Sequence, residues 1–333
     1  MSRARRIVAD PAGPDPDQLA PAAAALRAGA LVAFPTETVY GLGANALDPD
    51  AVARIFHAKG RPADNPVIVH APDAATAWRV TTGPTPLAER LAARFWPGPL
   101  TLVLDAAPEM PRAATAGLDS VAVRVPAHPV ALALLRAAGV PVAAPSANRS
   151  GRPSPTTADH VLAELGDAIA IVVDGGPCAV GLESTVVDAR GERPVILRDG
   201  AVTREAIAAV AEPLAGGTGA APADLAASPG TRHRHYAPAC RVLVAPPDGA
   251  VALARELATS AAPGSIGIVS RFPAPAGVRE IGRFRDAADL APRLFALLRS
   301  AEAAGVATLV VEGVPEDGIG RAVMDRLRRA GAG

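Results

Sequence analysis

The chain has 333 residues, half of them hydrophobic and only 3% aromatic, with 33 basic side chains balanced by 33 acidic ones. That length suits two domains with separate cores, and zero net charge argues against a protein whose main task is coating nucleic acid or an anionic membrane. Two distant cysteines without Cys-x-x-Cys spacing suggest no disulfide framework or structural zinc.

The first ten residues are basic, but Pro11 and Pro14 follow with no apolar run between. No stretch approaches the ~18 apolar residues of a membrane span, so a soluble, cytoplasmic protein is expected. Short apolar runs then alternate with helical patterns, the sign of an α/β layer fold. The predicted order is helix 19–28, strand 30–34, helix 49–58, strand 67–70, helix 86–95 and strands 100–104 and 121–125. Helix 129–138, strand 140–143, helix 158–165, strands 169–173, 185–188 and 195–197, and helix 203–211 complete this part. The helix over 49–58 has the clearest start, with Asp48 as N-cap and Pro49 at its first position. Gly60 ends it, so Lys59 and Arg61 stand at its C-terminal edge. The close spacing of the last three strands predicts some antiparallel pairing, and therefore a mixed sheet.

From Pro213 the pattern stops, and 214–222 reads as a flexible linker. The stretch 228–238 has another character. Arg232, His233, Arg234, His235 and Tyr236 are consecutive, more anion-contacting groups than a spacer needs. It is expected to act as a lid over an active site. Beyond Cys240 come strands 241–245, 265–269, 278–281 and 308–311, with helices near 250–259, 287–305 and 319–330. The expected domains are therefore 1–212 and 241–333, joined by a linker over 213–240.

Lys59 is the sole lysine among 33 basic residues, in a chain that elsewhere uses the rigid guanidinium fork instead of a compact ammonium. Asn65 and Asn148, two of only three asparagines, stand in turn-like segments of the same kind. Gly41-Leu42-Gly43-Ala44-Asn45-Ala46 matches a dinucleotide fingerprint by letters. Its context is wrong, because Thr36-Glu37-Thr38 separates it from the strand and the helix starts only at Asp48. These glycines are expected to shape a loop beneath a site. No Walker A motif is present.

Four clusters stand at predicted strand ends, where open α/β sheets bind ligands: 35–40, 59–70, 116–125 and 145–148. Arg124, between Val123 and Val125, is the hardest to explain as mere structure, since a buried guanidinium demands a carboxylate from the protein or from a ligand. Thr36, Glu37, His70, Ser146, Asn148 and Ser184 are open to two readings from the residues alone, as turn or core chemistry or as ligand contacts.

The motifs Phe34-Pro35-Thr36-Glu37-Thr38-Val39-Tyr40-Gly41-Leu42-Gly43, Lys59-Gly60-Arg61-Pro62 with Asn65-Pro66, and Ser146-Ala147-Asn148 resemble the threonylcarbamoyl-AMP synthase family. His235-Tyr236-Ala237-Pro238 and the run from Gly320 to Leu327 resemble the linker and extra domain of its longer, two-domain branch. The resemblance implies an α/β fold: a YrdC-like catalytic domain with a mixed twisted sheet and flanking helices, then a small Rossmann-like C-terminal domain. It implies a nucleotidyltransferase that converts L-threonine, bicarbonate or CO2, and ATP to threonylcarbamoyl-AMP and pyrophosphate, for N6-threonylcarbamoyladenosine beside the tRNA anticodon. By the same resemblance Lys59 and Arg61 are catalytic and serve the phosphates. Asn65, Ser120, Ser146, Asn148, Arg152, Arg198 and Tyr236 help to hold ATP. Thr36, His70, Arg124 and Ser184 hold threonine, with Arg124 on its carboxylate. Magnesium arrives on the ATP phosphates with no assigned protein ligand, and the product passes to the tRNA threonylcarbamoyl transferase machinery.

The main competing reading is a double-stranded-RNA-binding or regulatory module without adenylate-forming activity. Zero net charge and the lack of RNA-reading aromatics oppose RNA binding, and no stable nucleic-acid complex or membrane partner is expected. The fold also occurs within carbamoyltransferases of hydrogenase maturation, but those are much longer chains with zinc-finger segments.

Overall fold

Strand alternation decides which side chains become core and which become site. The computed structural model describes residues 4–62, 64–211 and 236–332. They form two units, the second taking in 151–154 and 180–182 as well as the C-terminal region.

The first unit contains ten strands: β1 (Arg5–Val8), β2 (Val32–Phe34), β3 (Gly41–Asn45), β4 (Ile68–His70), β5 (Leu100–Asp105), β6 (Ser120–Arg124), β7 (Val142–Ala143), β8 (Ile171–Asp174), β9 (Thr185–Asp188) and β10 (Val195–Arg198). They make one mixed sheet in the order β1-β8-β2-β3-β7-β4-β6-β5-β9-β10. Its helices are α1 (Pro16–Arg27), α2 (Pro49–Lys59), α3 (Ala74–Trp78), α4 (Pro86–Phe95), α5 (Arg112–Thr115), α6 (Pro129–Ala138), α7 (Ala158–Leu165) and α8 (Arg204–Ala208).

Side chains alternate across a strand, and here the alternation separates two kinds of residue. Val69, Leu100, Leu102, Leu104, Val121 and Val123 join the large core with Val52 and Ile55 of α2 and Leu87 and Leu91 of α4. Burying each such side chain contributes about 1.5–3 kcal/mol. Ile68, Val103 and Ala122, at the alternate positions, form a small separate cluster with Val186 and Leu197. His70, Thr101, Ser120 and Arg124 share that second parity. Under α1 and α6, Leu19, Leu26, Val130 and Leu134 pack with Val32, Phe34 and Val173.

The glycine run read as a loop is strand β3, paired antiparallel to β2 and β7 in mid-sheet. A Cβ on Gly43 would come within 2.9 Å of both the Phe34 ring and the Val142 side chain. The glycines make room for that ring, and having no side chains they leave no alternation to read. Strand β1 has only Ile7 and, just beyond it, Ala9 as buried apolar residues, too weak a pattern to recognise. Of the last three strands only β9 and β10 pair antiparallel; β8 runs parallel to β1 and β2.

The second unit holds β11 (Arg241–Ala245), α9 (Ala250–Ala258), β12 (Ile266–Ser270), β13 (Arg279–Arg283), α10 (Ala287–Leu290), α11 (Leu294–Ala303), β14 (Thr308–Glu312) and α12 (Gly320–Gly331). Its four strands are all parallel, in the order β11-β14-β12-β13. The single helix expected over 287–305 is divided by a 3-10 turn over Ala291–Arg293. Pro292 lies inside it and has no amide hydrogen to continue an α-helical ladder. No helix among the described residues is long and apolar enough to cross a membrane.

Candidate active site

Register brings distant polar residues into one row. Parallel pairing sets His70 beside Arg124. Leu102 pairs with Val123 across the antiparallel β5–β6 ladder, so Thr101 stands opposite Arg124. Thr101 and Arg198 both pair with Val186. The polar parity of four strands therefore meets at one level of the sheet.

Arg124 is 3% exposed and cannot shed its proton. Its Nη2 donates to Glu37 Oε1 at 2.6 Å, Nη1 to Thr38 Oγ1 at 2.9 Å, and Nε to Gly98 O at 3.2 Å. The carboxylate that its burial demanded comes from within the chain. Glu37 and Thr38 are placed by a turn beyond β2, where Thr36 Oγ1 donates to Val39 O at 2.6 Å and accepts from the amides of Thr38 and Val39. His70 lies edge-on to the Phe34 ring, with centroids 6.1 Å apart, and its Nδ1 is 3.3 Å from Ile68 O. Burial, and then the neighbouring Arg124 charge, push its pKa down to about 3, so the ring is neutral at pH 7. Ser184 Oγ is 2.7 Å from Thr101 Oγ1. Arg198 Nη2 donates to Ser184 O at 2.9 Å and to its Oγ at 3.2 Å.

A second group forms at the C-terminus of α2. Asp48 caps the start through the amides of Asp50 and Ala51, and Gly60 ends the helix with φ of 60° in the left-handed region. Lys59, in the last helical position, is 3% exposed. Its Nζ donates to Ser146 O and Asn148 O, both at 2.5 Å. Ser146 is held by a bridge to Gly41, and the loop by a bond from Ala147 N to Tyr40 O. Burial, then the charge of Arg61, drives the Lys59 pKa well below its ordinary range, opposed by Glu164. Arg61 donates to Pro66 O at 2.8 Å and Asn65 O at 3.2 Å. Asn148 Nδ2 donates to Arg149 O at 2.8 Å, and Ser120 is buried at the start of β6.

The structure thus gathers Thr36, His70, Arg124, Ser184 and Arg198 along connected strands. Lys59, Ser146 and Asn148 share one set of bonds, as do Arg61 and Asn65. Arg152 and Tyr236 make their described contacts within the second unit. Arg152 Nη2 bonds to both oxygens of Glu302 at 2.6 Å. Tyr236, with φ of 66°, stacks on Phe295 at 5.3 Å between centroids, and the Arg326 guanidinium lies 5.4 Å from its ring. The lid expected over 228–238 lies outside the described residues as far as His235. Sequence reasoning missed Glu37 as the partner of Arg124, and it missed Thr101. The alternation of Thr101 with Leu100 and Leu102 was the available signal. Among the described residues, no three His, Cys, Asp or Glu side chains converge as metal ligands.

Comparison with known proteins covers both units. Residues 24–200 match a family model described as telomere recombination, and residues 202–332 one described as threonylcarbamoyl-AMP synthase, C-terminal domain. Threonylcarbamoyl-AMP synthase of Bacillus subtilis is 44% identical over 98% of this chain and 96% of its own length. The Pyrococcus abyssi protein of that name is 46% identical over 93% and 92%. The crystal structure of P. abyssi Sua5 complexed with L-threonine superposes with a TM-score of 0.90 at 41% identity, covering 99% of this chain and 98% of that one.

Proposed function

The chain belongs to the threonylcarbamoyl-AMP synthase family, and from that premise we propose how its residues divide the reaction. It is an enzyme that forms threonylcarbamoyl-AMP from L-threonine and ATP for tRNA modification. In our reading bicarbonate or CO2 supplies the carbamoyl carbon and magnesium enters on the ATP phosphates. The adenylate passes, in the cytoplasm, to the machinery that transfers it to tRNA. A nucleic-acid-binding or regulatory module without this activity is not favoured.

The threonine carboxylate would take Arg124, sharing it with Glu37, while Thr36, His70 and Ser184 supply neutral polar contacts. Once the amine has become a carbamate, its oxygen attacks the α-phosphorus and pyrophosphate leaves. Charge grows on phosphate oxygens in that step, so fixed cations lower its barrier more than any covalent assistance would. Lys59 and Arg61 fit that task, with Asn65, Ser120, Ser146, Asn148 and Arg198 positioning the nucleotide.

The observation that carries this reading is Lys59 itself, a buried ammonium bonded to two carbonyls and to no carboxylate among the described residues. An arriving triphosphate supplies the counter-charge that burial withholds. The test is pyrophosphate release from ATP, which should require both threonine and bicarbonate. Release that ignores either one would contradict the assignment.

A further inference from the structure

The two oxygens of Glu37 are treated unequally. Oε1 accepts from Arg124, whereas Oε2 is buried with no hydrogen-bond partner. His128 Nδ1 is in the same state. The two residues are 9% and 8% exposed, and native folds leave few such groups unsatisfied. Both line one cavity of about 860 Å³, whose wall also includes Asp10, Gln18, Asp174 and Gly175. At ~30 Å³ per molecule that space holds many waters. His128 occupies the N-cap position of α6, yet its side chain makes no capping bond. That nitrogen is left without a partner, in a residue that borders the cavity.

The chemistry needs such an outlet. Threonine's amine arrives as an ammonium, and only the neutral amine can attack the carbamoyl carbon. One carbon atom joins the ammonium to the carboxylate, so a carboxylate seated on Arg124 brings the ammonium towards Glu37. This step rests on the threonine site proposed above. We infer that Glu37 Oε2 takes the proton from threonine's ammonium and passes it to His128, whose ring releases it to the cavity water and so to solvent. An N–H bond breaks with its electron pair left on nitrogen, and an O–H bond forms on Glu37. That proton then moves to His128 Nδ1, which restores the carboxylate, and leaves to water. No other bond changes.

The charged surroundings suit these roles. Glu37 faces Arg124 from β6, His128 from α6 and the Cys178 thiol. His128 faces Glu37, with Asp10 and the Arg6-bonded Asp174 on the cavity wall. Burial holds the His128 imidazole below its ordinary range, with the Glu37 charge and a backbone bond to Gly175 opposing, so the ring rests neutral and gives up a relayed proton readily.

The full chain tests the route. Turnover is read as pyrophosphate release with ATP, threonine and bicarbonate, and threonine affinity by calorimetry. His128→Ala should lower kcat by ~10²-fold or more with threonine affinity unchanged, and added imidazole should restore much of the loss. Glu37→Gln should lower kcat comparably. His128→Gln keeps the bulk of the ring and should match His128→Ala without rescue. Full turnover by the His128 variants, or a loss accompanied by weaker threonine binding and indifferent to imidazole, would overturn the relay. Arg124→Gln separates the two readings: unchanged threonine affinity in that variant would remove the threonine site and the relay with it.

Discussion

Lys59 and Arg124 are equally buried, at 3% exposure each, and they settle their charge in opposite ways. Arg124 holds a carboxylate at 2.6 Å, whereas Lys59, among the described residues, donates to the carbonyls of Ser146 and Asn148 and to no carboxylate. A guanidinium remains charged under all folding conditions, so its burial requires a counter-ion; an ammonium can release its proton instead. The difference accounts for the single lysine of an arginine-rich chain. A site that must tolerate being empty and yet be cationic beside a triphosphate suits lysine.

The largest loss is expected at Arg124. Arg124→Gln leaves Glu37 buried without its ion partner, which should cost about 3–5 kcal/mol of stability and abolish threonine binding. The double variant Arg124→Gln with Glu37→Gln should regain most of the stability and none of the binding. Denaturation midpoints and calorimetry on the three proteins check this, and equal midpoints for the single and double variants would contradict the ion-pair account.

At Lys59 the larger loss should be in chemistry. Lys59→Ala should lower adenylate formation by ~10²–10³-fold while threonine still binds. Lys59→Arg should fail as badly and also fold less stably, since the bulkier, permanently charged guanidinium replaces an ammonium that, among the described residues, is bonded to carbonyls and to no carboxylate. Near-normal turnover by the arginine variant would end the argument from lysine's chemistry.

An effect confined to acid pH comes from His70, the neutral neighbour of Arg124. Its folded pKa is about 3 against ~6.5 when unfolded, so the unfolded chain takes up the proton first. The stabilisation is complete above pH 6.5 and is lost as the pH falls towards 3, by at most about 1.4 kcal/mol per pH unit. His70→Asn should remove that component from urea midpoints measured between pH 7 and 4. Identical pH slopes for the two proteins would place His70 in a more solvated setting.

Helix ends and branched strands were legible because their signals are local. Asp48-Pro49 and Gly60 bound α2 as read, and the ranges 86–95, 129–138 and 158–165 are α4, α6 and α7. Strand β3 was not legible, because its glycines are selected by the Phe34 ring, a tertiary neighbour with no trace in the strand's own periodicity. The demand of Arg124 for a carboxylate could be read from Val123 and Val125. That Glu37 answers it could not, because the pairing spans a turn and three other strands of the sheet order. Burial of Lys59 also lay beyond the sequence, which placed it only at a helix edge.

The single lysine offers a direct measurement. Protein labelled with carbon-13 at the lysine ε position gives one side-chain resonance to titrate, with and without magnesium-ATP. A pKa well below the ordinary ~10.4 is expected in the empty enzyme, with a marked upward shift when the nucleotide binds. A resonance that titrates in the ordinary range and ignores ATP would contradict it.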